Sequence, residues 1–481
     1  MSDIPSAGRT TGSRNEPYGK PADSFGQLIL NRVNESGPQE AYRKPEGDGW
    51  RSYTWDEILQ ESSEAAAGLV SLGVDMEDRI SIASNTRLEW IVADFAIMLA
   101  GAATTTVYPS TGAEDVGFIL NDSDTVILIA EDMSQVEKAR ENDIPHLRQF
   151  ILIDGEGDGD KILSWEQLRE KGRTLLSEQP DLIKERVGAT GPDKLATLIY
   201  TSGTTGKPKG VELTHGNWTY EAAAMSALNI LTGDDVQFLW LPLAHSFGKV
   251  LVGAHLQVGG VTVVDGRVPK IVSNLPIVQP TVMAAVPRIF EKVHAGVIRK
   301  GTEEGGAKTA IFNWAFKVGA RAQEKRANGE TVGGLLKAQE NLADKMVFSK
   351  VRAQLGGRLK YFVSGSAALS ADINRWFDIV GMPVLEGYGL TETSAATCVN
   401  RPDSKKAGTV GQPLPGTEIK IADDGEIMVN GPGVMRAYRN RPDANEEVFA
   451  GQEPGPDRWF ATGDIGVIDD QGRVKITDRK K

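Results

Sequence analysis

Short apolar runs recur through the first four hundred residues, and helical stretches separate them. The runs are RISIAS from Arg79, TTTVY from Thr104, TVILIA from Thr125, FILID from Phe150, LATLIY from Leu195, VQFLWLP from Val236, VTVV from Val261 and YFVSG from Tyr361. Strands of Val, Ile and Leu that alternate with helices predict parallel sheets covered on both faces. One open sheet does not comfortably hold so many strands, so we predict an α/β fold with two doubly wound, mostly parallel sheets over residues 25–400.

The most apolar segment runs from Trp90 to Pro109, WIVADFAIMLAGAATTTVYP. Asp94 interrupts it and its second half turns to threonines, so it falls short of the roughly 20 apolar residues that a spanning helix needs. It predicts a buried helix followed by a strand.

The two ends of the chain have a different texture. Residues 1–24 are polar and rich in Pro, Gly and Ser, without the apolar core of a signal peptide, and predict a flexible arm. Residues 401–477 alternate in short runs around the turn signals ADDG and DDQG, which predicts a small β-rich, barrel-like subdomain. The last residues, 478–481, follow a strand-like VKIT, and we expect a hinge stub whose C-terminal domain lies outside this sequence.

Composition narrows the class of protein. The 481 residues are 40% apolar, enough for a large core, and the formal charge of −12 gives no overall reason to bind nucleic acid. Cys398 is the single cysteine, so no internal disulfide forms, and no Cys/His cluster suggests a structural metal. A reducing, cytoplasmic location is the simplest interpretation.

One segment, residues 299–360, is basic within this acidic chain. It carries thirteen Lys and Arg against six Asp and Glu, a net charge of +7. Its stretch AIFNWAFKVGARAQEKR places Ile311, Ala315 and Val318 on one helical stripe, with Phe312 and Phe316 beside it. A surface helix packed on the body through that stripe is one interpretation. Peripheral contact with an anionic membrane, at its inner face, is the other.

The loop TSGTTGKPKG, residues 201–210, follows the buried run LATLIY. Its glycines allow backbone N–H groups to converge on an anion, and its hydroxyls and lysines add donors and positive charge. The P-loop of nucleotide hydrolases is excluded, because Pro208 follows Lys207 and Ser202 stands where that motif needs glycine. The loop therefore predicts a phosphate site of another kind.

Seven blocks in order resemble the adenylate-forming enzymes, which comprise acyl-CoA synthetases, luciferases and the adenylation domains of peptide synthetases. The blocks are TSGTTGKPKG (201–210), LPLAHSFG (241–248), GSAALS (365–370), EGYGLTETS (386–394), GEIMVNGPGVMRAY (425–438), ATGDIG (461–466) and TDRKK (477–481). The resemblance implies the large N-terminal domain of such an enzyme and the use of ATP and Mg²⁺.

The same resemblance assigns roles to individual residues. Thr391 is similar to the hydroxyl that contacts the α-phosphate, and Glu392 to the carboxylate that holds magnesium. Tyr388 resembles the residue that stacks on adenine, and Asp464 the acceptor for both ribose hydroxyls. The implied catalytic set is Lys207, Thr391 and Glu392, with Glu392 as metal ligand. The implied nucleotide-binding set is Thr201, Ser202, Gly203, Thr204, Thr205, Gly206, Gly365, Ser366, Ala367, Glu386, Gly387, Tyr388, Gly389, Thr391, Asp464 and Arg479; Asp478 lies at the hinge position.

Plain structural readings stand beside several of these roles. Residues 365–367 also fit a tight turn from strand to helix, and a lone Glu such as Glu392 is commonly a solvated surface acid. His245, Gly248 and Val286 are implied in the acyl pocket, although a buried His245 also fits a core histidine.

Two features of the sequence indicate which carboxylic acid the protein activates. TVMAAVPRIFEKVHAGV, residues 281–297, resembles a stretch of long-chain fatty-acyl synthetases. The apolar VLVGAHLQVGG after His245 offers no acidic partner for an amino acid's ammonium group. We therefore expect a long-chain fatty-acid–CoA ligase that uses ATP, Mg²⁺ and coenzyme A.

Two alternative functions remain. One is a fatty-acyl-AMP ligase that delivers to a carrier protein, and the other is a non-catalytic nucleotide or acyl sensor. The resemblance also implies a catalytic lysine in the absent C-terminal domain, so we expect the chain by itself to bind its substrates but turn over poorly.

Overall fold

The computed structural model describes residues 8–201, 206–303, 305–455 and 457–480. Its strands are β1 Thr10–Gly12, β2 Glu40–Glu46, β3 Gly49–Thr54, β4 Arg79–Ala83, β5 Ala103–Val107, β6 Thr125–Ala130, β7 Gln149–Leu152, β8 Ile162–Ser164, β9 Leu195–Thr201, β10 Lys209–Thr214, β11 Val236–Leu239, β12 Val261–Val264, β13 Val282–Ala285, β14 Tyr361–Ser364, β15 Val384–Tyr388, β16 Cys398–Val399, β17 Gln412–Pro413, β18 Glu418–Ile421, β19 Glu426–Asn430, β20 Ala437–Tyr438, β21 Phe460–Ile468 and β22 Val474–Arg479.

The α-helices follow in chain order. They are α1 Phe25–Ser36, α2 Trp55–Ser71, α3 Leu88–Leu99, α4 Ala113–Asp122, α5 Met133–Arg140, α6 Trp165–Glu178, α7 Leu182–Gly188, α8 His215–Ala227, α9 Ser246–Val258, α10 Ile271–Val278, α11 Pro287–Thr302, α12 Gly306–Ala327, α13 Gly334–Ala343, α14 Ser349–Gln354, α15 Ala371–Val380 and α16 Pro442–Phe449.

Two large sheets confirm the two-lobed α/β prediction. The first has eight strands in the order β20-β10-β9-β5-β4-β6-β7-β8, and the second has nine in the order β17-β16-β15-β14-β13-β11-β12-β2-β3. The central strands of both are parallel, and each quoted apolar run forms one of the strands. The outer strands β10, β20, β3, β16 and β17 are antiparallel, so both sheets are mixed.

The predicted buried helix and strand at Trp90–Pro109 are α3 and β5, and Asp94 has a buried partner in the other lobe. Lys249 of α9 forms an ion pair with Asp94, and the two side chains are 2% and 1% exposed. Thr104 Oγ1 donates to the other carboxylate oxygen at 2.8 Å, and the ammonium lies 4.2 Å from the ring centroid of Phe25. Burial lowers the pKa of Lys249, and the carboxylate of Asp94 opposes that shift. The pair therefore joins the helices of the two lobes.

A third sheet has five strands in the order β1-β18-β19-β21-β22. The turns ADDG and DDQG connect β18 to β19 and β21 to β22, as predicted. The order is open, since β1 and β22 each have one strand neighbour within the described residues, and this differs from the barrel-like closure expected from the sequence. Part of the predicted subdomain also belongs elsewhere, because β17 and β20 join the large sheets.

The N-terminal arm packs on the body from residue 8 onward, which differs from the flexible arm that its composition predicts. β1 pairs with β18 in antiparallel register, Thr11 opposite Ile419. Tyr18 packs edge-on against Tyr220, with ring centroids 5.2 Å apart. Partners more than two hundred residues away in sequence hold this segment, and local composition does not reveal them.

The basic segment is helical, and α12 packs on the body as the surface-helix interpretation requires. Its buried side is formed by Phe312, Ala315 and Val318, whereas Ile311 is 36% exposed. The predicted buried stripe is therefore correct at Ala315 and Val318 and wrong at its first position, where Phe312 is buried and Ile311 is exposed. Among the described residues, no helix is long and apolar enough to cross a membrane.

Candidate functional site

A cavity of about 360 Å³ opens between the carboxyl ends of the large sheets and the third sheet. Its lining includes Thr201, His245, Gly365, Ser366, Gly387, Tyr388, Gly389, Thr391, Glu392 and Arg479, all of which the sequence predicted as site residues. Polar lining residues are linked to one another, Thr391 to Ser246 and Glu392 to Tyr438. The apolar lining residues include Met225, Val250, Leu251, Val399 and Leu414, and three of them, Met225, Val399 and Leu414, belong to one hydrophobic cluster. The lining is therefore amphipathic, with a polar part and an apolar part.

The ends of the predicted phosphate loop are fixed by an antiparallel pair of strands. Thr201 ends β9 and lies opposite Lys209 at the start of β10. Ser202, Gly203, Thr204 and Thr205 lie outside the described residues. Gly206 has a positive φ of 156°. The ammonium of Lys207 lies 5.0 Å from the ring centroid of Phe118, so in this structure it contacts an aromatic face beside the loop and does not line the cavity.

Glu392 is held in the cavity by a tyrosine from the edge of the eight-stranded sheet. Tyr438 Oη donates to Glu392 Oε1 at 2.7 Å, and Lys209 Nζ lies 5.0 Å from the Tyr438 ring centroid. Burial raises the pKa of Tyr438, and the neighbouring Glu392 carboxylate adds to the shift. Thr391 is buried beside them, with its hydroxyl 3.3 Å from that of Ser246. A carboxylate and several hydroxyls thus form the polar part of the lining.

Tyr388 lines the cavity and contacts Asp464, a predicted site residue that does not itself line it. Tyr388 Oη donates to Asp464 Oδ2 at 2.7 Å. Burial raises the pKa of Tyr388 well above its ordinary value, and Asp464 contributes to the shift. Arg479, which is largely exposed, places its Nε 3.9 Å from Asp464 Oδ1. Asp478 precedes it at the end of β22, where its carboxylate accepts from the Arg479 N–H at 2.8 Å.

A close backbone approach explains one of the predicted small residues. A Cβ on Gly389 would lie 2.0 Å from the carbonyl oxygen of Ala395, so only glycine fits there. Gly365 faces the ring of Phe247, which a Cβ would approach to 3.2 Å. Ser366 has a φ of 70°, a left-handed conformation that is strained for a residue other than glycine. Such strain is common at ligand sites, and it favours the binding role of this turn over a plain structural one.

Several predicted residues support the cavity without lining it. Glu386 is buried behind it, where Asn374 Nδ2 donates to its carboxylate at 2.8 Å and burial raises its pKa. Gly248 packs α9 against the preceding turn, since a Cβ there would lie 2.4 Å from the Pro242 carbonyl. Val286 caps the start of α11. Neither Gly248 nor Val286 lines the cavity, nor does Ala367, which is exposed.

His245 has a structural and a lining role at once. Its Nδ1 accepts from the Phe247 N–H at 3.1 Å and so caps α9, and burial lowers its pKa. The same side chain lines the cavity. The two readings of this histidine therefore do not exclude each other.

Sequence reasoning missed Tyr438 and most of the apolar wall. Tyr438 stands in the quoted block GEIMVNGPGVMRAY, but no property of that block shows that its last residue reaches Glu392. The apolar residues Met225 and Leu414 come from α8 and from the link after β17, far apart in sequence. Only the packing of the two lobes brings them together.

Comparison with known proteins shows the family of this chain. Residues 31–439 match the family described as AMP-binding enzyme. The chain is 34% identical over 466 residues to the long-chain fatty-acid–CoA ligase FadD15 of Mycobacterium bovis, covering 95% of this chain and 74% of that protein. It is 33% identical to the long-chain acyl-CoA synthetase 8 of Arabidopsis thaliana, over 90% of this chain and 63% of that one.

A solved structure shares the fold. The long-chain fatty-acid–CoA ligase FadD1 of Archaeoglobus fulgidus superimposes with a TM-score of 0.74 at 20% identity, covering 98% of this chain and 86% of that one. The chain therefore belongs to the AMP-binding enzyme family. The expectation of an adenylate-forming ligase is confirmed at that level.

Proposed function

We propose that this protein activates long-chain fatty acids with ATP, first to an acyl-adenylate and then to acyl-CoA. The observation that carries the proposal is the amphipathic cavity, whose lining combines the polar residues Thr391 and Glu392 with apolar residues that include Met225, Leu251 and Leu414. An acyl-adenylate has the same division into a charged nucleotide and an alkyl chain. The names of the curated relatives favour coenzyme A, not a carrier protein, as the final acceptor.

In this proposal the adenine, the ribose and the phosphates of ATP each contact a different group of residues. Adenine lies against Tyr388 and the small residues Gly365 and Ser366. Asp464 accepts from the ribose hydroxyls, a role that suits an acceptor-only carboxylate, and Arg479 approaches from the outer side. The loop of residues 201–210 and Thr391 contact the phosphates, and Lys207 must leave the Phe118 ring to join them.

A magnesium ion fits the donor set at Glu392. Mg²⁺ is commonly bound through one or two carboxylates together with substrate phosphates and water. No cluster of three or more His, Cys, Asp or Glu side chains forms a ready-made metal cage in the parts of the chain that the structure describes. A single oriented carboxylate suits a metal ion that binds together with the nucleotide. Such an ion would neutralise part of the phosphate charge.

The chemistry consists of two displacements. A carboxylate oxygen of the fatty acid attacks the α-phosphorus, and the bond to the departing pyrophosphate breaks. The thiolate of coenzyme A then attacks the acyl carbon, and AMP leaves. Two anions repel in the first step, so positioned donors and positive charge carry much of the catalysis. The apolar wall contributes to binding, at about 0.8 kcal/mol for each buried methylene.

Binding of a stable acyl-adenylate mimic tests the proposal. In palmitoyl-sulfamoyl-adenosine a sulfamate replaces the phosphate, so the compound offers both a nucleotide and an alkyl chain without reacting. We expect calorimetry to show affinity at least about 100-fold tighter than for AMP or palmitate alone, because one linked ligand engages both the polar and the apolar part of the lining. Affinity no better than that of AMP would refute an acyl site continuous with the nucleotide site.

We also propose peripheral contact between the basic segment and an anionic membrane. A cavity of about 290 Å³ in this segment has an apolar floor that includes Phe312 and Val347, with Lys300 and Lys350 on its lining. Ile311 and Met346, both exposed, also line it. Apolar surface framed by lysines suits the interface of anionic lipids.

Vesicle sedimentation tests this contact. We expect the protein to sediment with phosphatidylglycerol vesicles more than with phosphatidylcholine vesicles, and to be released by added salt. Lys300→Glu with Lys350→Glu should remove most of the binding, since each lysine near the surface contributes about 1 kcal/mol. Lys171→Glu with Lys184→Glu, two exposed lysines on α6 and α7, is the matched control. Equal sedimentation with both lipids would contradict the proposal.

A further inference from the structure

The cavity of the basic segment lies among three helices and one irregular turn. Its volume is about 290 Å³, and its lining comes from α11, α12 and α14 and from the turn Asp344–Phe348 that leads into α14. None of the residues that line it also lines the cavity at Glu392. In the part of the chain that the structure describes, the two cavities are therefore separate sites.

The floor of the basic-segment cavity is aromatic and closely packed. Phe312 lies against Gly301 of α11, where a Cβ would come within 2.4 Å of the ring, so the glycine leaves room for it. The ring centroid of Phe316 is 4.8 Å from that of Phe312, and Phe316 in turn stacks on Trp376 with ring planes 13° apart. Packed rings keep their positions, so the apolar floor is formed before a ligand binds.

The turn Asp344–Phe348 is a π-helix. The Ser349 N–H donates to the Asp344 carbonyl, five residues earlier in the chain. Turns of this kind are rare in proteins and frequently occur at functional sites. Met346 and Val347, which belong to this turn, both line the cavity. The uncommon backbone form therefore lies at the cavity, which favours a binding role over simple packing of helices.

Every charged side chain on the lining is positive. The lining contains Lys300, Lys308 and Lys350, and no Asp or Glu among the described residues. Lys300 and Lys350 are exposed, and neither forms an ion pair with another described residue. Asp344, the acid of the turn, is already paired with Arg352 at 2.7 Å. Exposed ammonium groups beside a buried apolar floor complement a ligand that has an anionic head and an apolar tail.

The size of the cavity limits the ligand to one alkyl chain. Its volume of about 290 Å³ lies at the lower end of the range for ligand pockets, roughly 300–1,000 Å³. A phospholipid carries two chains on a glycerol, so a whole phospholipid exceeds this space. A single-chain molecule suits it better.

We propose that the basic-segment cavity binds one single-chain amphiphile with an anionic head, such as a fatty carboxylate. Its tail lies on Phe312 and Val347, and its head lies near Lys300 and Lys350. This inference goes beyond the proposed activation of fatty acids, because the ligand is held here without reaction at a site that shares no lining residue with the cavity at Glu392. It also differs from the proposed membrane contact, since it requires no membrane.

Calorimetric titration with dodecanoate, below the concentration at which it forms micelles, tests the inference. The protein is first saturated with palmitoyl-sulfamoyl-adenosine, so that the cavity at Glu392 is occupied. We expect one equivalent of dodecanoate to bind. Dodecyltrimethylammonium has the same tail and a cationic head, and it should bind at least about tenfold more weakly because the lysines repel it.

A double variant tests the contacts of the head. Lys300→Gln with Lys350→Gln removes both charges and keeps polar side chains of similar length, and it should weaken dodecanoate binding by about tenfold. Lys171→Gln with Lys184→Gln, two exposed lysines outside the lining, is the matched control and should leave the affinity within about twofold of wild type.

A single variant tests the apolar lining. Ile311→Asp places a carboxylate on the lining at an exposed position, and it should weaken dodecanoate binding by at least about tenfold. Leu342→Asp is the matched control, because Leu342 is an exposed apolar residue of α13 that does not line the cavity. It should leave the affinity unchanged.

Three results are decisive. The inference is overturned if the wild-type protein takes up no dodecanoate, or if Ile311→Asp binds it as well as wild type does. If dodecanoate does not bind but Ile311→Asp lowers sedimentation with phosphatidylglycerol vesicles, the cavity serves the membrane contact alone, which also overturns the inference. If the sulfamoyl compound itself fails to bind, the proposed activation of fatty acids is refuted instead, and the difference between wild type and Ile311→Asp in dodecanoate binding still decides this inference.

Discussion

Replacing Lys249 with methionine should lower the free energy of unfolding by about 3–5 kcal/mol. The substitution leaves the carboxylate of Asp94 buried between the lobes, with Thr104 as its remaining donor. A buried charge without its counter-ion is among the most costly defects in a protein interior. Urea denaturation followed by tryptophan fluorescence measures the change.

A second substitution should recover most of that loss. Asp94→Asn in the Lys249→Met background removes the stranded charge and keeps an acceptor for the Thr104 hydroxyl. Lys184→Met is the control, because Lys184 and Asp181 form an exposed pair at 3.5 Å and such pairs contribute about 0.2–1 kcal/mol. A double variant no more stable than Lys249→Met would contradict the charge-based explanation.

Replacing Glu392 with glutamine should weaken ATP binding in the presence of Mg²⁺ by at least about 30-fold. Loss of one partner of a desolvated charge pair costs about 2–5 kcal/mol, and glutamine keeps the shape of the side chain while it removes the charge. Calorimetric titration of ATP with and without Mg²⁺ measures the effect. Without the metal, wild type and variant should bind ATP within about twofold of each other.

Replacing Tyr438 with phenylalanine should also weaken Mg²⁺-dependent ATP binding, but less than Glu392→Gln does. Tyr438→Phe removes the 2.7 Å hydrogen bond that orients Glu392, and loss of such an outer contact commonly costs about tenfold or more in metal affinity. Glu447→Gln is the matched control, because it removes an exposed carboxylate near Tyr438 that makes no contact with the cavity. If Glu392→Gln weakens ATP binding equally with and without Mg²⁺, the carboxylate has a role other than holding metal.

The strands of the two lobes could be predicted because burial on both faces leaves a strong local signal. TVILIA at β6 is buried at all six positions, and its sequence contains no residue that prefers solvent. The turns after β18 and β21 were equally local, since Asp and Gly mark tight turns by their own conformational preferences. Resemblance to a family, not periodicity, supplied Thr391, Glu392 and Tyr388, and the structure brings all three to one cavity.

The features that the sequence did not predict depend on contacts between residues far apart in the chain. Tyr438 and Glu392 are 46 residues apart, and they meet only because β20 pairs with β10. The arm folds through partners near residues 220 and 416. On α12, Ile311 and Phe312 are neighbours of similar polarity, so periodicity alone could not decide which faces inward, and the larger aromatic ring took the buried place.

The ion pair between α3 and α9 also constrains how this chain can change over time. Because either residue alone leaves a stranded charge, a lineage that loses the lysine first passes through an unstable protein. We therefore expect Lys249 and Asp94 to covary among related sequences, being retained or replaced together. Related sequences would then differ at these two positions of the contact between the lobes by paired substitutions, not by single ones.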